Sequence, residues 1–208
     1  MINIASPVIE EEERRAVNEV IESGMLAQGP KVAELEESWA KYCGVKHALA
    51  VNSGTAAIHC ALYAAGVGEG DEVITTPYSF IATINPILML GARPVLVDID
   101  EETFNIDVSK IEAAITDKTK AIIPVDLYGQ PCDWKELREI ADKHELKIIE
   151  DACQAIGAEY DGVKTGALGD FGCFSLYATK NIMCGEGGVV PPIAMMLRLL
   201  FAHSGSTE

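Results

Sequence analysis

A lysine and an aspartate occupy positions where their side chains could take part in covalent and acid–base chemistry. Lys180 lies in a stretch of apolar and small residues, 174–181. A lysine withdrawn from water has a lowered pKa, which makes its amine a nucleophile able to form an imine with an aldehyde. Asp151 closely follows the apolar run 147–149. An aspartate that faces a pyridine nitrogen keeps this nitrogen protonated and makes the ring a strong electron sink.

Both residues also have an ordinary structural interpretation. Most lysines bury only their methylene chain and extend the amine to the surface. An aspartate after a strand commonly caps the next helix or lies in a solvated loop. Glycines at 185, 187 and 188 would let the backbone pass close to a bulky ligand. Neither ionisable residue therefore identifies a function alone, although the position of Asp151 at the end of a strand favours a functional role.

Two further segments have the composition of a ligand site. Residues 52–57 (N-S-G-T-A-A) join an apolar run to a helical pattern, and free amides at a helix start favour a phosphate. The alternative is an N-cap in which Ser53 or Thr55 satisfies its own helix. Residues 75–80 (T-T-P-Y-S-F) contain two aromatic rings in a similar position. Such a ring can stack on a planar ligand, although it more often fills the core.

Hydrophobic patterning predicts an α/β fold that would position these segments. Apolar runs of strand length alternate with helical patterns, which is typical of a mainly parallel sheet covered by helices. The predicted strands are 47–51, 72–75, 94–97, 120–125 and 147–149, followed by adjacent, possibly antiparallel, strands at 172–176 and 187–190. The predicted helices are 6–24, 31–42, 56–65, 82–90, 108–115, 134–144 and 193–202. In such folds, ligands bind at the carboxyl ends of the strands.

Composition narrows the class of protein. The 208 residues suffice for one domain with a sizeable core. A formal net charge of −16 disfavours nucleic acid or an anionic membrane as partner. Six single cysteines without a C-x-x-C pair indicate a reducing compartment. The sequence has no signal-peptide pattern and no apolar run of the roughly 20 residues that a membrane span needs. We therefore expect a cytoplasmic protein.

Taken together, these segments resemble the DegT/DnrJ/EryC1/StrS family of sugar aminotransferases, which depend on pyridoxal 5′-phosphate (PLP). The most specific stretches are 52–57, 150–154 (E-D-A-C-Q) and 174–188 (F-S-L-Y-A-T-K-N-I-M-C-G-E-G-G). The resemblance implies the large domain of an aspartate aminotransferase-like PLP-dependent transferase (fold-type I), with a mainly parallel sheet flanked by helices. It treats 1–208 as one truncated PLP-binding domain that lacks the C-terminal small domain. Pro191 and Pro192 replace an expected acidic turn, so 191–208 is read as an atypical tail.

The resemblance assigns a role to each candidate residue. Lys180 would form the Schiff base with the cofactor and later move a proton between the substrate carbon and C4′ of the cofactor. Asp151 would bind the pyridine nitrogen, and Gln154 would lie beside the ring and its O3′ hydroxyl. Phe80 would stack on the ring. The phosphate would be held by amides and hydroxyls at Thr55, Ala56 and Ser175.

The same resemblance implies a ping-pong reaction in which glutamate gives its amino group to the cofactor. A nucleotide-diphospho keto sugar, aminated at C4 or C3, then receives this group for the synthesis of an amino sugar of a polysaccharide or lipid. It also implies a homodimer. A non-catalytic PLP-binding remnant or regulatory protein is the alternative. No metal is expected, because the four histidines are far apart, and no G-x-G-x-x-G follows the first strand as a nicotinamide-binding Rossmann fold would require.

Overall fold

A seven-stranded sheet carries the site in the computed structural model, which describes residues 5–191. The helices are α1 (Glu11–Ser23), α2 (Pro30–Cys43), α3 (Gly54–Ala64), α4 (Asn85–Met89) and α5 (Trp134–Lys143). The strands are β1 (Leu49–Val51), β2 (Glu72–Thr75), β3 (Arg93–Leu96), β4 (Thr119–Ile123), β5 (Lys147–Asp151), β6 (Glu159–Tyr160), β7 (Val163–Lys164), β8 (Phe171–Ser175) and β9 (Gly188–Val190). The α/β fold predicted from the patterning is confirmed.

The strand order explains why distant segments meet. The order is β1-β9-β8-β5-β4-β2-β3, while β6 and β7 form a separate hairpin. β9 runs antiparallel to β1 and β8, and the other pairs in the sheet are parallel. The predictions of a mainly parallel sheet and of an antiparallel final pair are both confirmed. Since parallel strands end at the same edge, the segments after β1, β2, β5 and β8 lie side by side.

Helices cover both faces of the sheet. Ile149 of β5 packs in the cluster that contains Ala57 and Leu62 of α3, whereas the preceding residue Ile148 packs in the cluster that contains Leu137 of α5. Successive side chains of a strand point to opposite faces. Because both faces are buried, the central strands read as continuous apolar runs in the sequence.

Two predicted helices differ from the structure. Residues 108–115 form two 3-10 turns, Val108–Lys110 and Glu112–Ala114. Here the Asp107 carboxylate accepts from the N–H and hydroxyl of Ser109, and this local bonding competes with helix formation. Residues 82–90 are divided into a 3-10 turn, Ile81–Thr83, and the short helix α4, in which Pro86 supplies no N–H.

Other boundaries shift by a few residues. The predicted first helix begins at Glu11 instead of residue 6, because Glu10 and Glu13 form a capping box. Asp151 is the last residue of β5 instead of a loop residue that follows it. The predicted helix at 193–202 and most of the predicted tail lie outside the described residues. Within residues 5–191, no helix is both long and apolar enough to cross a membrane.

Two acidic side chains within residues 5–191 are completely buried. Asp126 and Glu150 are both 0% exposed. Asp126 Oδ1 accepts from the Cys132 N–H at 2.9 Å and from Trp134 Nε1 at 3.2 Å. Glu150 accepts from three backbone N–H groups between residues 166 and 169. Burial, which disfavours the charged form, raises the pKa of Asp126 to about 7 and the pKa of Glu150 to about 8.

This pair makes stability depend on pH, and the variant Asp126→Asn tests it. From about pH 4 to 7 the unfolded chain has lost the Asp126 proton while the folded chain still holds it. Rising pH therefore favours unfolding, by up to about 1.4 kcal/mol per pH unit for one group. Asn keeps an acceptor for Cys132 and Trp134 but cannot ionise. Urea unfolding at pH 5, 6 and 7 should give a flatter slope for Asp126→Asn than for wild type.

The matched control is Asp142→Asn, which changes an exposed aspartate of α5. This variant should keep the wild-type slope. An equal slope in wild type and Asp126→Asn would contradict the account of Asp126 as a buried carboxyl that holds its proton.

Candidate active site

A cavity of about 570 Å³ opens at the carboxyl ends of the parallel strands. Six of the seven residues predicted for a cofactor site line it: Thr55, Phe80, Asp151, Gln154, Ser175 and Lys180. Asp151 and Ser175 are the last residues of β5 and β8, and the other four come from the segments after β1, β2, β5 and β8, as the rule for open α/β sheets predicts. Ala56 is not among the lining residues.

Hydrogen bonds to both its side chain and its backbone hold Asp151 in the cavity wall. Its side chain is nearly buried, at 4% exposure. Oδ2 accepts from the Thr83 hydroxyl at 2.8 Å, and Oδ1 accepts from the Cys153 N–H at 3.2 Å. Its backbone N–H donates to the Pro124 carbonyl at 3.0 Å, and its carbonyl accepts from the Asp126 N–H at 3.1 Å. A carboxylate held in this way presents an anionic acceptor at a fixed place.

Sequence reasoning missed Thr83. It is 1% exposed, and its hydroxyl also bonds the Ser79 hydroxyl at 2.8 Å. Thr83 and Asp151 lie 68 positions apart in the sequence. The one available signal was a single hydroxyl residue between the apolar residues 81–82 and 84, which is too common a pattern to indicate a site.

The start of α3 forms another wall of the cavity. Ser53 is the N-cap, and its Oγ accepts the Ala56 N–H at 3.1 Å. The Ala56 amide is predicted to hold a phosphate, but its N–H already donates to the Ser53 hydroxyl. The first N–H groups of a helix, here those of Gly54 and Thr55, have no partner inside it. The N-cap alternative is therefore confirmed for Ser53 and the Ala56 N–H, and phosphate binding by the other first amides of α3 stays a prediction.

Close packing fixes this helix start against β8. A Cβ on Gly54 would lie 2.8 Å from Ser175 Cβ and 3.0 Å from Cys153 Sγ. Glycine is therefore required here for the backbone to approach β8. The Ser175 hydroxyl, which accepts from the Tyr177 N–H at 3.3 Å, is brought to the same end of the cavity as Thr55.

Lys180 lies in the loop between β8 and β9. Its backbone N–H donates to the Tyr177 carbonyl at 2.9 Å, and the residue is half-buried. It lines the cavity described above and also a larger one of about 1220 Å³ between residues 5–18 and 178–185. Among the described residues that line the smaller cavity, Lys180 is the one cation, and Asp151 and Glu186 are the anions.

The remaining two predicted residues lie at the rim. Phe80 is 71% exposed, so a planar ligand can reach its ring. Gln154 is half-buried, and its Oε1 accepts the Tyr128 N–H at 3.2 Å. Their roles against a cofactor ring remain predictions. Within the described part of the chain, no cluster of three or more His, Cys, Asp or Glu side chains is suited to hold a metal ion.

The chemistry of these side chains fits PLP. The cavity offers a fixed carboxylate for a pyridinium nitrogen and an amine for an aldehyde, namely Asp151 and Lys180. Hydroxyls of Thr55 and Ser175 and the first amides of α3 suit a phosphate. Glycine at position 54 lets the start of α3 lie against Ser175 and Cys153.

The chain is similar to curated proteins and to solved structures that include aminotransferases. GDP-perosamine synthase of Caulobacter vibrioides is 47% identical over 204 residues, which are 96% of this chain and 55% of the relative. An aminotransferase of Psychrobacter cryohalolentis superposes with a TM-score of 0.91 at 40% identity, over 94% of this chain and 51% of that one. NtdA of Bacillus subtilis, solved with the bound cofactor PMP, superposes with a TM-score of 0.84 at 39% identity, over 88% of this chain and 42% of that one.

The chain spans about half the length of the curated relatives it matches. The model of the DegT/DnrJ/EryC1/StrS aminotransferase family matches residues 7–199, and this match takes in the cavity and the sheet beneath it. The chain therefore belongs to the DegT/DnrJ/EryC1/StrS aminotransferase family.

Proposed function

We propose that this chain binds PLP through Lys180 and Asp151 and serves a transaminase that moves the amino group of glutamate to a nucleotide-diphospho keto sugar. The observation that carries the proposal is that Asp151 and Lys180 line the same cavity as the hydroxyl residues Thr55 and Ser175. The match to the sugar aminotransferases supports it.

Each residue contributes a distinct physical effect. When bound, PLP supplies an aldehyde that condenses with amines and a ring that withdraws electrons from the adjacent carbon. The Asp151 carboxylate stabilises a proton on the ring nitrogen. The Lys180 amine anchors the cofactor and then serves as the base that takes a proton from the amino-bearing carbon of the substrate. Gln154 orients the ring oxygen, and Phe80 shields one ring face.

The phosphate end holds the cofactor without covalent chemistry. The Thr55 and Ser175 hydroxyls and the first α3 amides donate to phosphate oxygens, and the positive end of the α3 dipole favours the anion. The chain works as a homodimer. Lys180 is the one cation among the described residues that line the cavity. The groups that bind the substrate diphosphate therefore come from outside these residues.

The anchoring role of Lys180 is tested with PLP and borohydride. Wild-type protein mixed with PLP should develop a new absorption band, and borohydride should fix the cofactor mass on the peptide that contains Lys180. Lys180→Ala should show neither, because no other amine lines the cavity among residues 5–191. Lys135→Ala, which changes an exposed lysine of α5, is the matched control and should behave as wild type.

Two outcomes would contradict this assignment: a folded wild-type protein without the band, or a band that persists in Lys180→Ala.

Transfer of the amino group from glutamate to a UDP- or dTDP-linked 4-keto sugar, followed by mass spectrometry, tests the substrate class. Cofactor binding without transfer would favour a regulatory protein instead.

The Asp151 charge is tested by the rate at which PLP-loaded protein converts glutamate to 2-oxoglutarate in a single turnover. Asp151→Asn should slow this step by roughly 10²–10³-fold, as is usual when a preorganised charged partner is removed. Thr83→Val, which removes the hydroxyl that holds Asp151, should slow it by about tenfold. Thr83→Ser keeps the hydroxyl and should be near wild type. Equal rates in Asp151→Asn and wild type would rule out the role of this carboxylate.

A further inference from the structure

The turn that follows β4 has a strained backbone without an evident packing reason. Tyr128 adopts φ 54°, in the left-handed region that non-glycine residues rarely enter. Its side chain is 73% exposed, so burial of the ring does not compensate for the strain. Such strain persists only where the surrounding structure imposes it, and it is concentrated at functional sites.

A buried asparagine holds both ends of this turn. Asn105 is 3% exposed. Its Oδ1 accepts the Leu127 N–H at 3.1 Å, and its Nδ2 donates to the Gln130 carbonyl at 2.8 Å. Asn105 thus bonds the residue before Tyr128 and the residue after Gly129. The two bonds need an acceptor and a donor on the same side chain, which an amide provides.

The strained residue in turn contacts the cavity. The Tyr128 N–H donates to Gln154 Oε1 at 3.2 Å, and Gln154 lines the cavity with Lys180 and Asp151. A backbone N–H can only donate, so this bond fixes which end of the Gln154 amide is the oxygen. The Gln154 NH2 group bonds no side chain or carbonyl within residues 5–191, so it is available to donate to a ligand.

We infer that Asn105 is a positioning residue which, through Tyr128, holds the Gln154 amide so that it offers a hydrogen-bond donor to an anionic oxygen of the ligand. The contacts within the chain stand independently of the cofactor. The identity of the ligand oxygen, the ring O3′ of PLP, rests on the proposed function.

The contacts are tested first without cofactor, by amide hydrogen exchange of the Tyr128 N–H. In Gln154→Leu and in Asn105→Asp, exchange at Tyr128 should be about fivefold faster or more, since each change removes a bond that orders this amide. Asn105→Asp is isosteric and replaces the donor to Gln130 by a carboxylate oxygen. Asn85→Asp, at an exposed asparagine of α4, is the control and should leave exchange at Tyr128 unchanged. Unchanged exchange in both variants would overturn the inference.

The effect on the ligand is tested by the pH midpoint of the absorption change of bound PLP. Asn105→Asp and Gln154→Leu should shift this midpoint in the same direction, because Gln154→Leu removes the donor and Asn105→Asp loosens the turn that orders it. The double variant should shift it no further than Gln154→Leu alone, since Asn105 acts through Gln154. Additive shifts would show that Asn105 acts by another route and would overturn the inference. A wild-type protein that binds no PLP would refute the proposed function, whereas the exchange experiment would still decide the role of Asn105.

Discussion

The carboxylate of Asp151 is fixed by hydrogen bonds from side chain and backbone, and the other cavity residues lie around it. The Thr83 hydroxyl donates to one of its oxygens, and the Cys153 N–H donates to the other. The β5 backbone is bonded to the segment after β4 on one side and to β8 on the other. A carboxylate that cannot turn away is a preorganised partner for a positive charge, and such preorganisation is the usual source of electrostatic catalysis. The parallel sheet therefore fixes the place of the Asp151 carboxylate by fixing where β5 ends.

The opposite end of the cavity depends on close backbone packing. Two glycines allow it: Gly54 lets α3 begin against β8, and Gly188 lets β9 pass the Ser53 backbone. The small residues at the start of α3 bring its first amides and the Ser175 hydroxyl to one place. Packing and site chemistry are linked here, because a side chain at either glycine would displace the helix start.

Much of the fold follows from local patterns, and part of the site does not. Apolar runs predicted the central strands because both sheet faces are buried, and strand ends directed attention to Asp151 and the Thr55 segment. Thr83 and Asn105 escaped because their contacts join residues 68 and 22 positions apart, which spacing within a segment cannot reveal. The helix predicted at 108–115 was wrong, because its apolar spacing suits a helix while Asp107 bonds the backbone locally. The roles of Lys180 and Gln154 came from family resemblance, since isolated lysines and glutamines have no distinctive pattern.

The most direct measurement of the central claim is the ¹⁵N chemical shift of the ring nitrogen of labelled PLP bound to this chain. If Asp151 faces this nitrogen as a fixed carboxylate, the shift will be that of a protonated pyridinium across the neutral pH range. A shift typical of an unprotonated pyridine nitrogen in the wild-type complex at neutral pH would contradict the account, because the carboxylate would then not serve as its partner.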